Sequence, residues 1–406
     1  MAGVRFERLD KVRIGLIGAG GRGQSLLHDF LGVEGVEVTA LCDIVPDRVR
    51  ESQARLRRVG KPTAAEYTRG ERDYERLVVR DDIDLVLVAT PWDWHVPMSV
   101  SAMKAGKHVG VEVPAAVTID ECWELVDTSE ATRKHCVILE NCCYGFSELL
   151  VLQMVRKGLL GEITHGEAAY IHDLRGLLLA DSGEGLWRRE PHISRDGNLY
   201  PTHGLGPIAN CMSVNRGDRF QSMVSMSSME RSLTVYRDKN LKADDPKRKE
   251  KYRCGDMNTS ILRTERGRTI MLQHDVVTPR PYSRINMVCG TGGTFADYPA
   301  RIHIDGKPEE WEKIDGYRAE YEHPLWKRIG EIARKVGGHG GMDFVMAYRL
   351  IECMRAGIEP DMDVYDAAAW SAPGPLSDLS VKRGGAAVKF PDFTRGAWKK
   401  ERLPYT

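Results

Sequence analysis

Apolar and polar positions follow two different rhythms along this chain. Up to about residue 140, short apolar runs alternate with segments of helical period. The runs at Val12–Ile17, Val36–Cys42, Leu85–Ala89, His108–Val111 and Val137–Leu139 predict strands. Gly23–Leu31, Pro97–Ala105 and the stretch from Thr118 to about Thr132 predict helices. The last of these opens on Thr118-Ile119-Asp120-Glu121, a capping box in which each end residue satisfies the other's backbone N–H. Strands alternating with helices predict a parallel, doubly wound sheet.

Past Ser147 the rhythm changes. A helix is predicted at Leu149–Lys157. Strand-like runs then follow at Gly166–Ile171, Phe220–Met226, Thr259–Arg263, Thr269–His274, Arg284–Val288 and Arg301–Ile304, with few helices between them. That pattern predicts an α+β domain with an open-faced, mainly antiparallel sheet. One face would be exposed or packed on another subunit, so a homo-oligomer is expected. Helical period returns at Pro324–Val336 and Met342–Ala356, and a Pro-rich strap is expected from Pro373 to the end. Residues 173–199 read as a long loop, and long loops inside compact domains are often functional. The expected division is 1–146 and 147–406.

Composition narrows the partners. Over 406 residues, Lys plus Arg equals Asp plus Glu at 58 each, which gives no electrostatic case for nucleic acid or an anionic membrane. No apolar run reaches the roughly 18 residues of a membrane span. The first eleven residues are polar and lack an apolar signal core, so a cytoplasmic protein is expected. The alternative is a periplasmic or secreted protein exported already folded. The nine cysteines show no repeated spacing and read as thiols of a reducing compartment. No CxxC pair or HExxH spacing is present, so no metal is expected.

Gly18-x-Gly20-x-x-Gly23, between a strand and a helix, fits a dinucleotide turn. Its glycines allow close approach of backbone N–H groups to a pyrophosphate at a helix start. Asp43 follows Gly23 by 20 residues and closes the second strand. A carboxylate there bonds the ribose hydroxyls of NAD and repels the extra phosphate of NADP. Thr90-Pro91-Trp92-Asp93-Trp94-His95 closes another strand, at the sheet edge where ligands bind. Its aromatic pair walls the cofactor or packs a helix start. Glu112-Val113-Pro114 closes the next strand.

Tyr200-Pro201-Thr202-His203-Gly204 places a Tyr and a His three residues apart, on one face of a helical turn or tight loop. Tyr170 and His172 alternate along a strand and face one side. Tyr and His can shuttle protons near neutral pH. Asp343 falls in a helix and reads as a cap or ion pair.

The glycine turn and its strand context resemble the oxidoreductases that include glucose-fructose oxidoreductase and inositol dehydrogenase. Many of those carry Lys at the position of Val113, where it assists proton transfer; its replacement argues against a simple sugar dehydrogenase. The stretches TPWDWH (90–95), EVPAA (112–116), LENCCYG (139–145), GEITHGEAAYIHDLR (161–175), GNLYPTHGLGP (197–207), MSSMERS (226–232), GGHGGMDF (337–344) and FPDFTRG (390–396) closely resemble glycoside hydrolase family 109, NAD-dependent α-N-acetylgalactosaminidases. The resemblance implies cofactor contacts at Gly21, Arg22, Asp43, Trp92 to His95 (Trp92, Asp93, Trp94, His95), Glu112, Val113, Asn141, Trp187 and Tyr200. It implies sugar contacts at Tyr170, Arg188, Tyr200, Pro201, Thr202, His203 and Tyr282, with Glu140 and His172 completing the polar ring. His203 is the implied catalytic residue and Tyr200 its partner.

An ordinary glycosidase uses two carboxylates about 5–9.5 Å apart. The resemblance implies a different route, in which tightly bound NAD is recycled. Oxidation at sugar C3 acidifies the C2 proton, the C1 substituent leaves by elimination, water adds, and C3 is reduced again. The alternative is an NAD-dependent sugar dehydrogenase.

Overall fold

The computed structural model describes residues 1–405, and the chain divides into two compact units. The first contains residues 1–145, 324–369 and the stretch from Arg402 onward; the second contains 146–323 and 370–401. The chain first crosses between the units at 145/146, beside the expected division at 146/147, and crosses again at 323/324, 369/370 and 401/402. The helices Pro324–Val336 and Met342–Ala356 form where expected but pack with the first unit.

The first unit is built on six strands: β1 (Val12–Ile17), β2 (Val36–Cys42), β3 (Ala65–Tyr67), β4 (Leu85–Val88), β5 (His108–Val111) and β6 (Cys136–Ile138). They pair in the order β3-β2-β1-β4-β5-β6, all parallel. All four β4 residues are buried, as a strand covered on both sides requires. The capping box at Thr118 and Glu121 is present, and its helix runs Ile119–Thr132. Strand order reverses between β1 and β4, so the Gly18–Gly23 turn lies at the switch point, where such sheets bind ligands.

The second unit holds a nine-stranded sheet: β7 (Ile163–Ile171), β8 (Phe220–Ser227), β9 (Asn258–Thr264), β10 (Thr269–Asp275), β11 (Met287–Gly290), β12 (Gly293–Ala296), β13 (Arg301–Ile304), β14 (Glu312–Lys313) and β15 (Val388–Lys389). The order is β14-β13-β12-β11-β7-β10-β9-β8-β15. β7 and β10 run parallel, and the other pairs are antiparallel. Along β9 and β8, buried and more exposed residues alternate, and Val224, Met226 and Ile261 stand on the open face. The Pro-rich strap is not extended throughout. It contains a helix, Pro373–Lys382, because a proline in the first helical turn loses no hydrogen bond and arrives with helical φ. The loop 173–199 carries short helical turns at Arg175–Leu178, Gly183–Leu186 and Glu190–Ser194. None of the nine cysteines forms a disulfide, and no described helix is long and apolar enough to cross a membrane.

Candidate active site

The cofactor turn is built by glycines with two separate tasks. Gly18 has φ of +89°, and a Cβ there would lie 2.4 Å from the Ala89 carbonyl oxygen; a Cβ on Gly23 would lie 1.8 Å from that of Gly18. These two glycines pack the turn on itself. Gly20 and Gly21 face outward: an added Cβ at Gly21 meets nothing within 4 Å, and at Gly20 only the Arg48 guanidinium, at 3.7 Å. That open cradle, at the start of the helix Gly21–Leu31, is where a pyrophosphate fits. The buried carboxylate of Asp43 accepts from Ala19 N–H and Val45 N–H, both at 2.8 Å, which ties it to the turn at the end of β2. We expect Gly23→Ala to cost at least tenfold in NAD affinity, about 1.4 kcal/mol, because the added methyl must push the turn open. Calorimetry with NAD checks this, with circular dichroism to confirm a retained fold.

Around the turn, Arg22 is gripped by carboxylates. Its Nε donates to Glu112 at 2.6 Å and its Nη1 to Asp343 at 2.9 Å. Asn141 Nδ2 donates to the other Asp343 oxygen at 2.6 Å, and His339 Nδ1 lies 2.7 Å from Asp343 Oδ2. Burial works against the charge on Asp343, but His339 and Arg22 outweigh it and hold the carboxyl well below the usual range. Asp343 is thus the ion pair its helical position suggested. The turn Trp92–Trp94 follows Thr90-Pro91; Trp92 is buried and Asp93 exposed. The His95 ring is committed to the backbone, with Nδ1 2.8 Å from the Pro114 oxygen and Nε2 2.8 Å from that of Thr90. It joins the segments after β4 and β5. Val113 is buried, and Glu140 accepts from Cys142 N–H at 3.1 Å. Trp187 and Tyr200, also expected at the cofactor, belong to the second unit, whereas Glu140, expected at the sugar, belongs to the first.

In the second unit the expected sugar residues converge. A Cβ on Gly204 would sit 2.5 Å from the Ala169 nitrogen, so this glycine lets the helix Thr202–Cys211 lie directly on β7. The His203 ring then meets Tyr170 with centroids 5.4 Å apart. Tyr200, just before the helix, lies 4.7 Å from Tyr170 and 4.9 Å from His203. The Tyr170 hydroxyl and His172 Nδ1 are 3.1 Å apart, and Tyr282 stands edge-on to His172 at 5.1 Å. Pro201 and Thr202 are buried at the helix start, and the Thr202 hydroxyl has no hydrogen-bond partner among the described residues.

Two cations support these rings. Arg188 lies over Tyr200, its guanidinium carbon 4.8 Å from the ring centroid, and donates to Glu184 at 2.5 Å. Burial opposes its charge, but Tyr170, Tyr200 and Glu184 together keep it protonated. Arg284 donates to the Tyr282 hydroxyl at 2.9 Å and forms a buried ion pair with Glu148. Sequence reasoning missed Glu148, Glu184, His192, His274 and Arg284. Of these, His274 left a signal: it continues the buried positions Ile270 and Leu272 of β10, where a polar side chain is unusual.

Comparison with known proteins separates two layers. Residues 144–400 match the family model of the glycosyl hydrolase 109 C-terminal domain. The chain belongs to glycosyl hydrolase family 109. Residues 12–140 match the NAD-binding Rossmann fold of an oxidoreductase family. A glycosyl hydrolase family 109 protein of Solibacter usitatus is 61% identical over 402 residues, covering 98% of this chain and 92% of the relative. One from Saccharopolyspora erythraea is 52% identical over 402 residues, covering 98% and 87%. Among solved structures, a levoglucosan dehydrogenase in complex with NADH and levoglucosan has a TM-score of 0.73 at 17% identity, covering 94% of this chain and 100% of that one. An inositol dehydrogenase homolog from Azotobacter vinelandii with NAD+ gives 0.70 at 18%, covering 96% and 100%. At those identities the likeness is one of fold. This family 109 chain is an NAD-dependent enzyme acting on glycosides.

Proposed function

We propose that the chain hydrolyses terminal N-acetylgalactosaminides by transient oxidation at C3, elimination across C2 and C1, hydration and reduction, with NAD retained through the cycle. The observation that carries this reading is the cluster of Tyr170, His172, Tyr200 and His203 under Arg188, in the unit that matches the family 109 domain. Its acid and base groups are phenols and imidazoles, suited to moving protons at carbon and hydroxyl oxygen near neutral pH.

Bound NAD supplies reversible hydride acceptance at C3, which makes the C2 proton acidic. The residues supply the rest. Tyr200, with Arg188 held over its ring, takes the proton from the C3 hydroxyl. His203 beside it moves the proton that the departing C1 oxygen needs. The Tyr170 hydroxyl and His172 Nδ1 share a hydrogen bond, so a proton taken at C2 can pass between them. Arg188 also stabilises the negative charge that develops on the sugar. The open sheet face carrying Val224, Met226 and Ile261 supports assembly with a second copy of the chain.

Hydrolysis in D₂O tests the scheme. Deuterium is expected at C2 of the released sugar, with no net reduced cofactor and about one NAD released per chain on denaturation. Reduced cofactor accumulating in proportion to substrate would replace this reading with a sugar dehydrogenase.

A further inference from the structure

Two histidines outside the sequence-derived site are nearly out of solvent and lack hydrogen-bonding partners for their rings. His274 stands on β10 opposite Tyr170 of β7 in the parallel register, so both side chains leave the same face of the sheet. Their rings are 6.5 Å apart and tilted by only 27°. His192, on the turn Glu190–Ser194, lies 6.4 Å from His274. The two residues are 5% and 2% exposed for His192 and His274. Neither ring makes a hydrogen bond to another described residue. Polar side chains this far inside a protein are almost always paired. His274 beside Tyr170, with His192 behind it, points to a group that arrives with the ligand.

The local charge says what kind of group. Burial, with Arg188 nearby, pushes His192 down to about 3; burial, His192 and Arg188 push His274 well below the usual histidine range. Both rings are therefore neutral, and each offers one donor and one acceptor. Arg188 is already balanced by Glu184, so the subsite has no unmatched charge to attract a carboxylate or sulfate. Paired donors and acceptors on neutral rings match a secondary amide, which presents one C=O and one N–H. Among sugar substituents, the acetamido group is such an amide, and its methyl suits the aromatic surroundings.

We propose that His192 and His274 form the subsite for the 2-acetamido group and select N-acetylhexosaminides over plain hexosides. This deepens the reading of the site as a hexosaminide hydrolase and rests on it for the substrate class. The test is calorimetry on NAD-loaded protein with free N-acetylgalactosamine and free galactose, beside hydrolysis of the aryl N-acetylgalactosaminide. His274→Phe and His192→Phe keep a ring and remove its hydrogen bonds. The wild type is expected to bind N-acetylgalactosamine more tightly, and each variant to shrink that preference about tenfold, the equivalent of about 1.4 kcal/mol. Where His274→Phe fails to fold, His192→Phe, outside the sheet, carries the comparison. An unchanged preference in a folded variant, or a wild type indifferent to the two sugars, overturns the subsite. A wild type that prefers N-acetylgalactosamine but cleaves no aryl glycoside leaves the subsite standing and overturns the hydrolase reading.

Discussion

Replacing His203 with alanine is expected to lower kcat on an aryl N-acetylgalactosaminide by roughly 10²–10⁴, the range for a lost general acid or base. The geometry gives His203 this weight. Its helix is seated on β7 at Gly204, and its ring contacts both Tyr170 and Tyr200. The ring is only half-buried, unlike its neighbours Thr202 and Gly204. Its loss should leave the melting temperature and NAD content near those of the wild type. The checks are steady-state kinetics, a thermal melt and quantification of released dinucleotide. A variant that melts early or is purified without NAD would give His203 a structural role.

The legible parts of this molecule are those whose chemistry is local. The capping box at Thr118 and Glu121 and the strand His108–Val111 follow from short windows of sequence. So does the Tyr200–His203 spacing, because one turn of chain brings the two rings together whatever surrounds them. Pairing between distant segments leaves no such trace. Nothing in Ile163–Ile171 or Thr269–Asp275 announces that these strands run parallel, yet that register sets His274 beside Tyr170. The period of Pro324–Val336 and Met342–Ala356 fixes their bounds but not the unit they join. His192 sits on a five-residue turn too short to show any period. The strap after Pro373 holds a helix for a physical reason: proline breaks a helix interior but is well placed in its first turn.

Acid should unfold the protein in a window set by histidines, above the range where ordinary carboxylates protonate. In the first unit His108 and His135 stack at 5.4 Å. Burial, with His135 and Lys134, pushes His108 down to about 3, and burial pushes His135 down to about 4. In the second unit His192 is held at about 3 and His274 lower still. An unfolded histidine titrates near 6.5. Below that pH the unfolded chain binds protons that the folded chain refuses, so stability falls as pH falls. Each such group contributes about 1.4 kcal/mol per pH unit. Four of them between about pH 6.5 and 5 amount to on the order of 5–8 kcal/mol, comparable with the whole stability of a typical domain. Asp29 and His339 work in the opposite direction. Burial and Asp343 raise Asp29 to about 6, and the bond to Asp343 raises His339, so protonation of both favours the folded state as pH drops. They are two groups against these four and the buried His95, which burial also pushes down. Asp343 and Arg22 stay paired throughout, since that carboxyl titrates far below the window. Thermal melts at fixed NAD, taken in steps from pH 7.5 to 4.5 (about three units across the unfolded histidine pKa), should show the midpoint falling steeply below about pH 6. Because each unit carries its own pair, both should lose structure in the same window. His192→Phe should flatten the fall by removing one of these proton acceptors. A midpoint that holds steady down to pH 4.5 would mean that these rings take up protons in the folded state after all.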